Sequence, residues 1–310
     1  MTVIDWLLES DPSIRWQAIA DLTDQPPEAV EAERARVATE GWGTRLLALQ
    51  APDGTWGGGA WTQEHDDTFD TLDLLRILGL DPESQQARDA IGLVREHVTF
   101  KAYPGDSWDG NPFFTGEVEP CINGRIVGIG AYFGEDVMPL VDRLLGEQLP
   151  DGGWNCEVER GATVSSFSTT IDVLDGLLEH ERATGDSKAT DARRRGEAYL
   201  LERGLLRRKS TGELVEPTFA QFSFPTYWYF DVLRGLDYLR STGDGPDPRV
   251  EEALDLVEQK RDADGRWPVE NIHPGRVHFD LEGPAGSPSR WNTLRALRVL
   301  RWAGRAYRGR

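Results

Sequence analysis

The sequence predicts an all-helical fold laid out as an array of paired helices, and three observations carry that prediction. A phrase recurs three times: RLLALQAPDGTW over 45–56, RLLGEQLPDGGW over 143–154 and LVEQKRDADGRW over 256–267. In each copy an apolar helical segment runs into Asp-Gly and a Trp follows. Glycine accepts the left-handed conformation that stops a helix, and the indole packs over the stopped end. Apolar residues elsewhere recur three and four apart, as in Leu72, Leu75 and Leu78 or Leu174, Leu177 and Leu178, and no convincing run alternates with strand period. Connection lengths alternate as well. Those near 80–85, 134–136, 183–189 and 241–247 are short, whereas 51–65, 99–118, 149–164, 205–221 and 262–286 are long. Ordinary connections run about 4–6 residues, so long ones at every second junction mark one rim of the array as the functional face.

Taken in order, the chain opens with a helix start at Ser10, Asp11 and Pro12, where proline suits the first turn because its missing N–H would be unpaired there. PEAVEAERARV, 27–37, reads as the next helix, and residues 1–40 are expected to cap the array. The repeats then run to the end with no linker-like break, which predicts one domain over 1–310.

Composition narrows the function. A net charge of −19 argues against nucleic acid, whose phosphates need a basic surface, and acidity by itself names no partner. The 39% hydrophobic content is that of an ordinary soluble core, and no apolar run reaches the roughly 20 residues of a membrane span. MTVIDWLLESDPS lacks a basic stretch ahead of an apolar one, so a cytoplasmic location is expected. Two cysteines, Cys121 and Cys156, build no disulfide framework and read as packing thiols or metal ligands.

Gln50 to Gly54 with Trp56, and Gln148 to Gly152 with Trp154, resemble the QW motifs of squalene-hopene cyclases and the related repeats of protein prenyltransferase β subunits. The third copy departs from the pattern, with Lys260 near the place of the glutamine. The resemblance spans about 40–310 and implies an (α/α)6 toroid of the terpenoid cyclase kind, with an isoprenoid or isoprenyl diphosphate as substrate class. The proton-donating DxDD motif of class II cyclases and the second domain of hopene cyclases are both absent, which argues against ordinary squalene cyclisation and leaves open a smaller isoprenoid in a single toroid.

Aligning the helices after the long loops gives FDTLDLL, INGRIVG, IDVLDGL, FDVLRGL and WNTLRAL, with Asp70, Asn123, Asp172, Asp231 and Asn292 in the second place. If these helices form the inner wall that the resemblance implies, the five residues ring a shared hollow. Asp70, Asp172 and Asp231 are then the catalytic candidates, and Asn123 and Asn292 bind substrate. Single members read equally well as helix-start residues satisfying free N–H groups. DDTFD, with Asp66, Asp67 and Asp70, matches the DDxxD pattern in which carboxylates hold Mg²⁺ and the metal holds a diphosphate; the alternative is an acidic first turn with Asp66 or Asp67 as cap.

Cys121, Cys156 and one of His273 or His278 form a candidate zinc set, since two thiolates and an imidazole leave a fourth position open. Trp61, Tyr227 and Trp228 are candidate wall residues, able to shield a cation or stack on a sugar. Arg125 is the candidate to hold a diphosphate. Arg295, Arg298 and Arg301 read as an exposed stripe on the closing helix. The leading expectation is carbocation chemistry on an isoprenoid, started by an aspartate or by Mg²⁺. The competing readings are a glycoside-processing enzyme working with a carboxylate pair, and a helical scaffold that binds a small molecule or peptide without catalysis.

Overall fold

The computed structural model describes residues 2–101 and 106–305; residues 102–105, inside the second long connection, fall outside it. The all-helical class holds. Three helices, α1 (Val3–Leu8), α2 (Pro12–Leu22) and α3 (Pro27–Ala35), come first. Five successive pairs follow: α4 (Gly41–Leu47) with α5 (Thr68–Leu78), α6 (Gln85–His97) with α7 (Pro120–Phe133), α8 (Met138–Gly146) with α9 (Phe167–Thr184), α10 (Ser187–Leu201) with α11 (Val232–Ser241), and α12 (Glu251–Gln259) with α13 (Arg290–Trp302). Extended structure among the described residues is slight: β1 (Trp267–Pro268) pairs antiparallel with β2 (Pro288–Ser289), beside a few isolated bridges.

The chain divides into two compact units. A terminal unit comprises Met1–Trp42, Leu200–Pro274 and Phe279–Arg310; a central unit comprises Gly43–Tyr199 and Gly275–His278. Within the terminal unit, Asp11 caps α2 as its start signal implies, its carboxylate accepting from the Ser13 N–H.

The three Asp-Gly-x-Trp stops share one geometry. Trp56, Trp154 and Trp267 are buried, and each indole N–H donates at 2.7 Å to the carbonyl ten residues earlier, on Leu46, Leu144 and Val257. Each Trp backbone N–H donates to a threonine hydroxyl on the next helix, Thr68 at 3.0 Å, Thr170 at 3.1 Å and Thr293 at 3.0 Å. One ring thereby closes the end of one helix and sets the start of the next. Gln50 and Gln148 also bridge two carbonyls apiece, Gly54 with Ala90 and Gly152 with Ala192. In the third copy Lys260 pairs instead with Glu270.

The threonines correct the register read from sequence. Two residues beyond Thr68 and Thr170 stand Asp70 and Asp172, but two beyond Thr293 stands Arg295, not Asn292. Five beyond, the series is Asp73, Asp175 and Arg298. The third copy therefore carries the opposite charge at both positions. Arg295 and Arg298 are no exposed stripe: Arg295 is buried and Arg298 nearly so, and only Arg301 is exposed.

In the central unit α7 and α9 touch backbone to backbone. A Cβ on Gly176 would lie 1.9 Å from the Gly124 carbonyl oxygen, and one on Gly124 would lie 2.6 Å from the Val173 Cα. Glycine inside a helix costs about 1 kcal/mol against alanine, and here it permits an approach that no side chain allows. That approach sets the first turns of α7 beside the Asp172 turn of α9.

Candidate functional site

The central unit gathers most of the chemistry-bearing side chains at the amino-terminal turns of α5, α7 and α9. On α5 the helix start is made by Asp67, whose carboxylate accepts from the backbone N–H of Asp70 at 3.0 Å and of Thr62 at 2.7 Å. Burial, with the nearby Asp70 charge adding to it, pushes the Asp67 carboxyl up to about 7. Asp70 is buried with both oxygens engaged: Oδ2 lies 2.7 Å from His65 Nδ1, and Oδ1 accepts from Arg125 Nη2 at 2.6 Å. Asp73 accepts from the same guanidinium at 2.9 and 3.1 Å and from Arg76 at 2.7 Å. Burial alone would raise the Asp73 carboxyl, but Arg76 and Arg125 outweigh it and hold the group at about 2.

Arg125 is buried in α7, over the Phe69 ring at 4.2 Å. Burial opposes its charge, yet Asp70, Asp73 and Asp172 hold the guanidinium well above its ordinary range. Its Nη1 is buried and finds no acceptor among the described residues. Asn123, one helical step before, is fully buried and spent on the chain itself: its amide accepts from the Glu117 N–H and donates to the Glu117 carbonyl, both at 2.9 Å.

Asp66, Asp67 and Asp70 do not converge. Asp66 pairs with Arg276 at 2.5 Å, Asp67 faces backbone N–H groups and Asp70 faces Arg125 and His65, so each carboxylate is turned to different partners. The metal-type cluster among the described residues is Glu119, Cys121 and Cys156, whose ligand atoms all lie within 4.8 Å of one another. Cys121 donates to Glu119 Oε2 at 3.5 Å, and Thr169 donates to the Cys156 sulfur at 3.3 Å. A hydrogen bond with the Cys156 thiol, then burial and the charges of Asp172 and Glu119, push the Cys121 thiol well above its ordinary value. The two cysteines meet as expected, but the third member is Glu119. His278 Nε2 instead lies 2.8 Å from Thr71 Oγ1, and His273 lies in the terminal unit, with Nε2 3.1 Å from Ser223 Oγ.

In the terminal unit Asp231 is the cap of α11, its carboxylate accepting from the Arg234 N–H at 2.8 Å and from Ser223 Oγ at 3.0 Å. Asn292 is buried and donates to the Pro268 carbonyl at 3.0 Å. Asp231 thus serves the start of α11, while the Asn292 Oδ1 is buried with no hydrogen-bond partner among the described residues. The aromatic run FSFPTYWYF does form a cluster: Trp228 stacks on Tyr229 with centroids 5.0 Å apart, and Tyr229 stacks on His273 at 3.8 Å and 4°. Tyr227 is buried beside His273, whereas Trp228 there, and Trp61 in the central unit, are half-buried.

Sequence reasoning missed His65 and Glu119 as site residues. The signal for Glu119 was its place two residues before Cys121. His65 opens the acidic run in the sequence but carries no role there, since its pairing with Asp70 is set only once α5 begins at Thr68.

No family model matches the chain, and no curated protein matches it. Among solved structures it is similar to the ent-copalyl diphosphate synthase of Streptomyces platensis, at 16% identity and a TM-score of 0.47 over 97% of this chain and 50% of that one. The chain thus spans about half the length of the synthase. It is also similar to a polysaccharide lyase, at 13% identity and a TM-score of 0.49 over 96% of this chain and 90% of that one.

Proposed function

We propose that this chain is an enzyme of the α/α toroid class acting on an isoprenoid, with its chemistry at the amino-terminal turns of α5, α7 and α9. One observation carries the reading: buried Asp70, Asp73 and Arg125 share the central unit with Asp172 and the Glu119, Cys121, Cys156 cluster, and the charge of Asp172 acts on both Arg125 and Cys121. Acidic surroundings of this kind stabilise positive charge, which is what an allylic or carbocationic substrate develops.

Asp70 is committed to His65 and Arg125 and serves to orient them, so the proton-transfer role assigned to a ring aspartate passes to Asp172. Glu119, Cys121 and Cys156 fit a borderline-soft cation and would hold zinc with one position open. Bound there, zinc would supply a Lewis acid able to lower the pKa of a bound thiol or water. No described helix is long and apolar enough to cross a membrane. We place the protein in the cytoplasm, where both thiols stay reduced.

The test combines metal content with turnover. Purified protein should carry zinc by elemental analysis, and Cys121→Ser should lose it. Wild type should convert farnesyl or geranylgeranyl diphosphate, or a diphosphate-free polyprene, and Asp172→Asn should lower that rate by roughly 10²–10⁴-fold. No isoprenoid turnover, together with cleavage of an oligosaccharide, would instead establish the sugar-processing reading, which the Trp228, Tyr229 and His273 stack favours.

A further inference from the structure

Cys121 and Cys156 are the chain's two cysteines, and folding brings their sulfurs within 4.8 Å of each other beside the Glu119 carboxylate. Both are free thiols and half-buried, so a small molecule can reach them. The two sides of the pair are held differently. Cys121 lies in the first turn of α7, directly after Pro120. Arg143 fixes the segment leading into that turn by donating to the carbonyls of Glu117 and Val118 at 2.6 and 2.8 Å, and the glycine contact locks α7 itself against α9. Cys156 instead opens a loop. Its N–H donates to Thr169 Oγ1 at 3.4 Å, its sulfur accepts from the same hydroxyl at 3.3 Å, and the next five residues, 157–161, are exposed.

A disulfide needs its sulfurs about 2.05 Å apart, so closing the pair from within 4.8 Å is a movement of under about 3 Å. The exposed loop after Cys156 can supply that movement, because few buried contacts oppose it. Glu119 is the residue that precedes α7, but its side chain makes no capping bond with the helix end and stays with the sulfurs. A metal in this cluster keeps the two sulfurs apart as separate thiolates. A disulfide joins them and removes both ligands at once.

We infer that Cys121 and Cys156 are a modification site, closing to a reversible disulfide with a small-molecule disulfide as oxidant, and that this bond and a bound metal exclude each other. One protein thiolate attacks a sulfur of the small disulfide, forming a mixed disulfide and releasing half of the reagent as a thiolate. The other protein thiolate then attacks the protein sulfur of the mixed bond, forming the Cys121–Cys156 bond and releasing the second half. Two protein thiols lose two electrons in all, one small disulfide is reduced to two thiols, and the two protein protons end on those thiols. The second step is intramolecular, and proximity favours it over a second mixed disulfide. The disulfide itself needs no metal; the exclusion rests on the zinc reading above.

Oxidised glutathione is the probe, applied to the full chain in glutathione redox buffers and followed by thiol alkylation and intact mass. Wild type should lose both thiols together, at a mass two hydrogens below the reduced chain, and dithiothreitol should restore them. Since the chain has two cysteines, that mass identifies the Cys121–Cys156 bond. The effective concentration of one thiol toward the other should exceed that of the chain unfolded in urea by roughly 10²-fold or more. Cys121→Ser should stop at one glutathione on Cys156. Zinc at about ten times its dissociation constant should slow wild-type oxidation roughly tenfold, because only metal-free thiols attack, and oxidation of zinc-loaded protein should release one zinc per disulfide formed. Glu119→Gln should weaken zinc and keep the disulfide. Lasting glutathione adducts on both cysteines, dimers joined between chains, or an effective concentration no higher than in urea would overturn the inference. A disulfide that forms equally fast with zinc present, and releases none, removes the exclusion and the zinc reading but leaves the disulfide standing. Bound zinc with no disulfide under any buffer does the reverse.

Discussion

The central and terminal units solve the same packing problem with the charges exchanged. In the central unit the helix after a Trp stop, α5, carries the acids Asp70 and Asp73, and Arg125 on α7 answers them at 2.6 and 2.9 Å. In the terminal unit the helix after a Trp stop, α13, carries Arg295 and Arg298, and Asp231 and Asp237 on α11 answer them. The repeat specifies a buried ion pair between neighbouring helices and leaves the sign open. The pairs are not equivalent, however. Arg295 stands 4.0 Å from Asp231 and 3.7 Å from Asp237, and burial lowers its pKa where that of Arg125 is raised. The central cluster thus answers Asp70 and Asp73 with Arg125 and Arg76 at close range, whereas the terminal cluster leaves an arginine only partly compensated.

The largest expected effect comes from breaking the tighter pair. Arg125→Met strands Asp70 and weakens the neutralisation of Asp73 in a buried setting, and should cost about 3–5 kcal/mol of stability by denaturant titration. Arg295→Met should cost well under half of that, since an apolar side chain there removes a charge whose burial is poorly offset. Equal losses would erase the distinction between the units.

A double-mutant cycle sharpens the comparison. Asp70→Asn with Arg125→Met should show a coupling of roughly 1–3 kcal/mol, and Asp231→Asn with Arg295→Met much less, because charges 4.0 Å apart with other partners couple weakly.

The pH dependence should separate the two sides of the central cluster. Burial pushes Asp67 up to about 7, and burial likewise pushes Glu117 up to about 7. For both, the folded state holds the proton more tightly than the unfolded chain, so stability falls as pH rises from about 4 to 7. Asp73, held at about 2, has the opposite sign, and its contribution is lost as pH falls from about 4 toward 2. Melting temperature against pH should therefore decline above about pH 5, and Glu117→Gln should flatten that decline.

The smallest effect concerns the Trp stops. Gln50→Ala and Gln148→Ala each remove a half-buried side chain that bridges two carbonyls, and should cost about 1 kcal/mol each. Lys260→Ala should cost less, because its partner Glu270 still accepts from the Phe222 N–H. Thermal melts of the three variants check the order.

By itself the sequence determined the helical class, the paired order of elements and the three helix stops, because these follow from residues close together in the chain. Apolar spacing is local, and Asp-Gly-x-Trp carries its own termination chemistry. It also marked Cys121 and Cys156 as candidate ligands, since they are the chain's two thiols, one at a helix start and the other within a long loop. The register of the third copy was decided only by tertiary structure, because the threonine that meets the Trp N–H lies 26 residues away in α13 but 12 away in α5. The partners of the acidic run were decided the same way. Asp66, Asp67 and Asp70 read as one metal-binding motif while their neighbours in the chain were the only neighbours visible. Arg276 and Arg125, brought from 210 and 55 residues away, then divide them, because a buried carboxylate must find the nearest cation or N–H, and folding alone decides which that is.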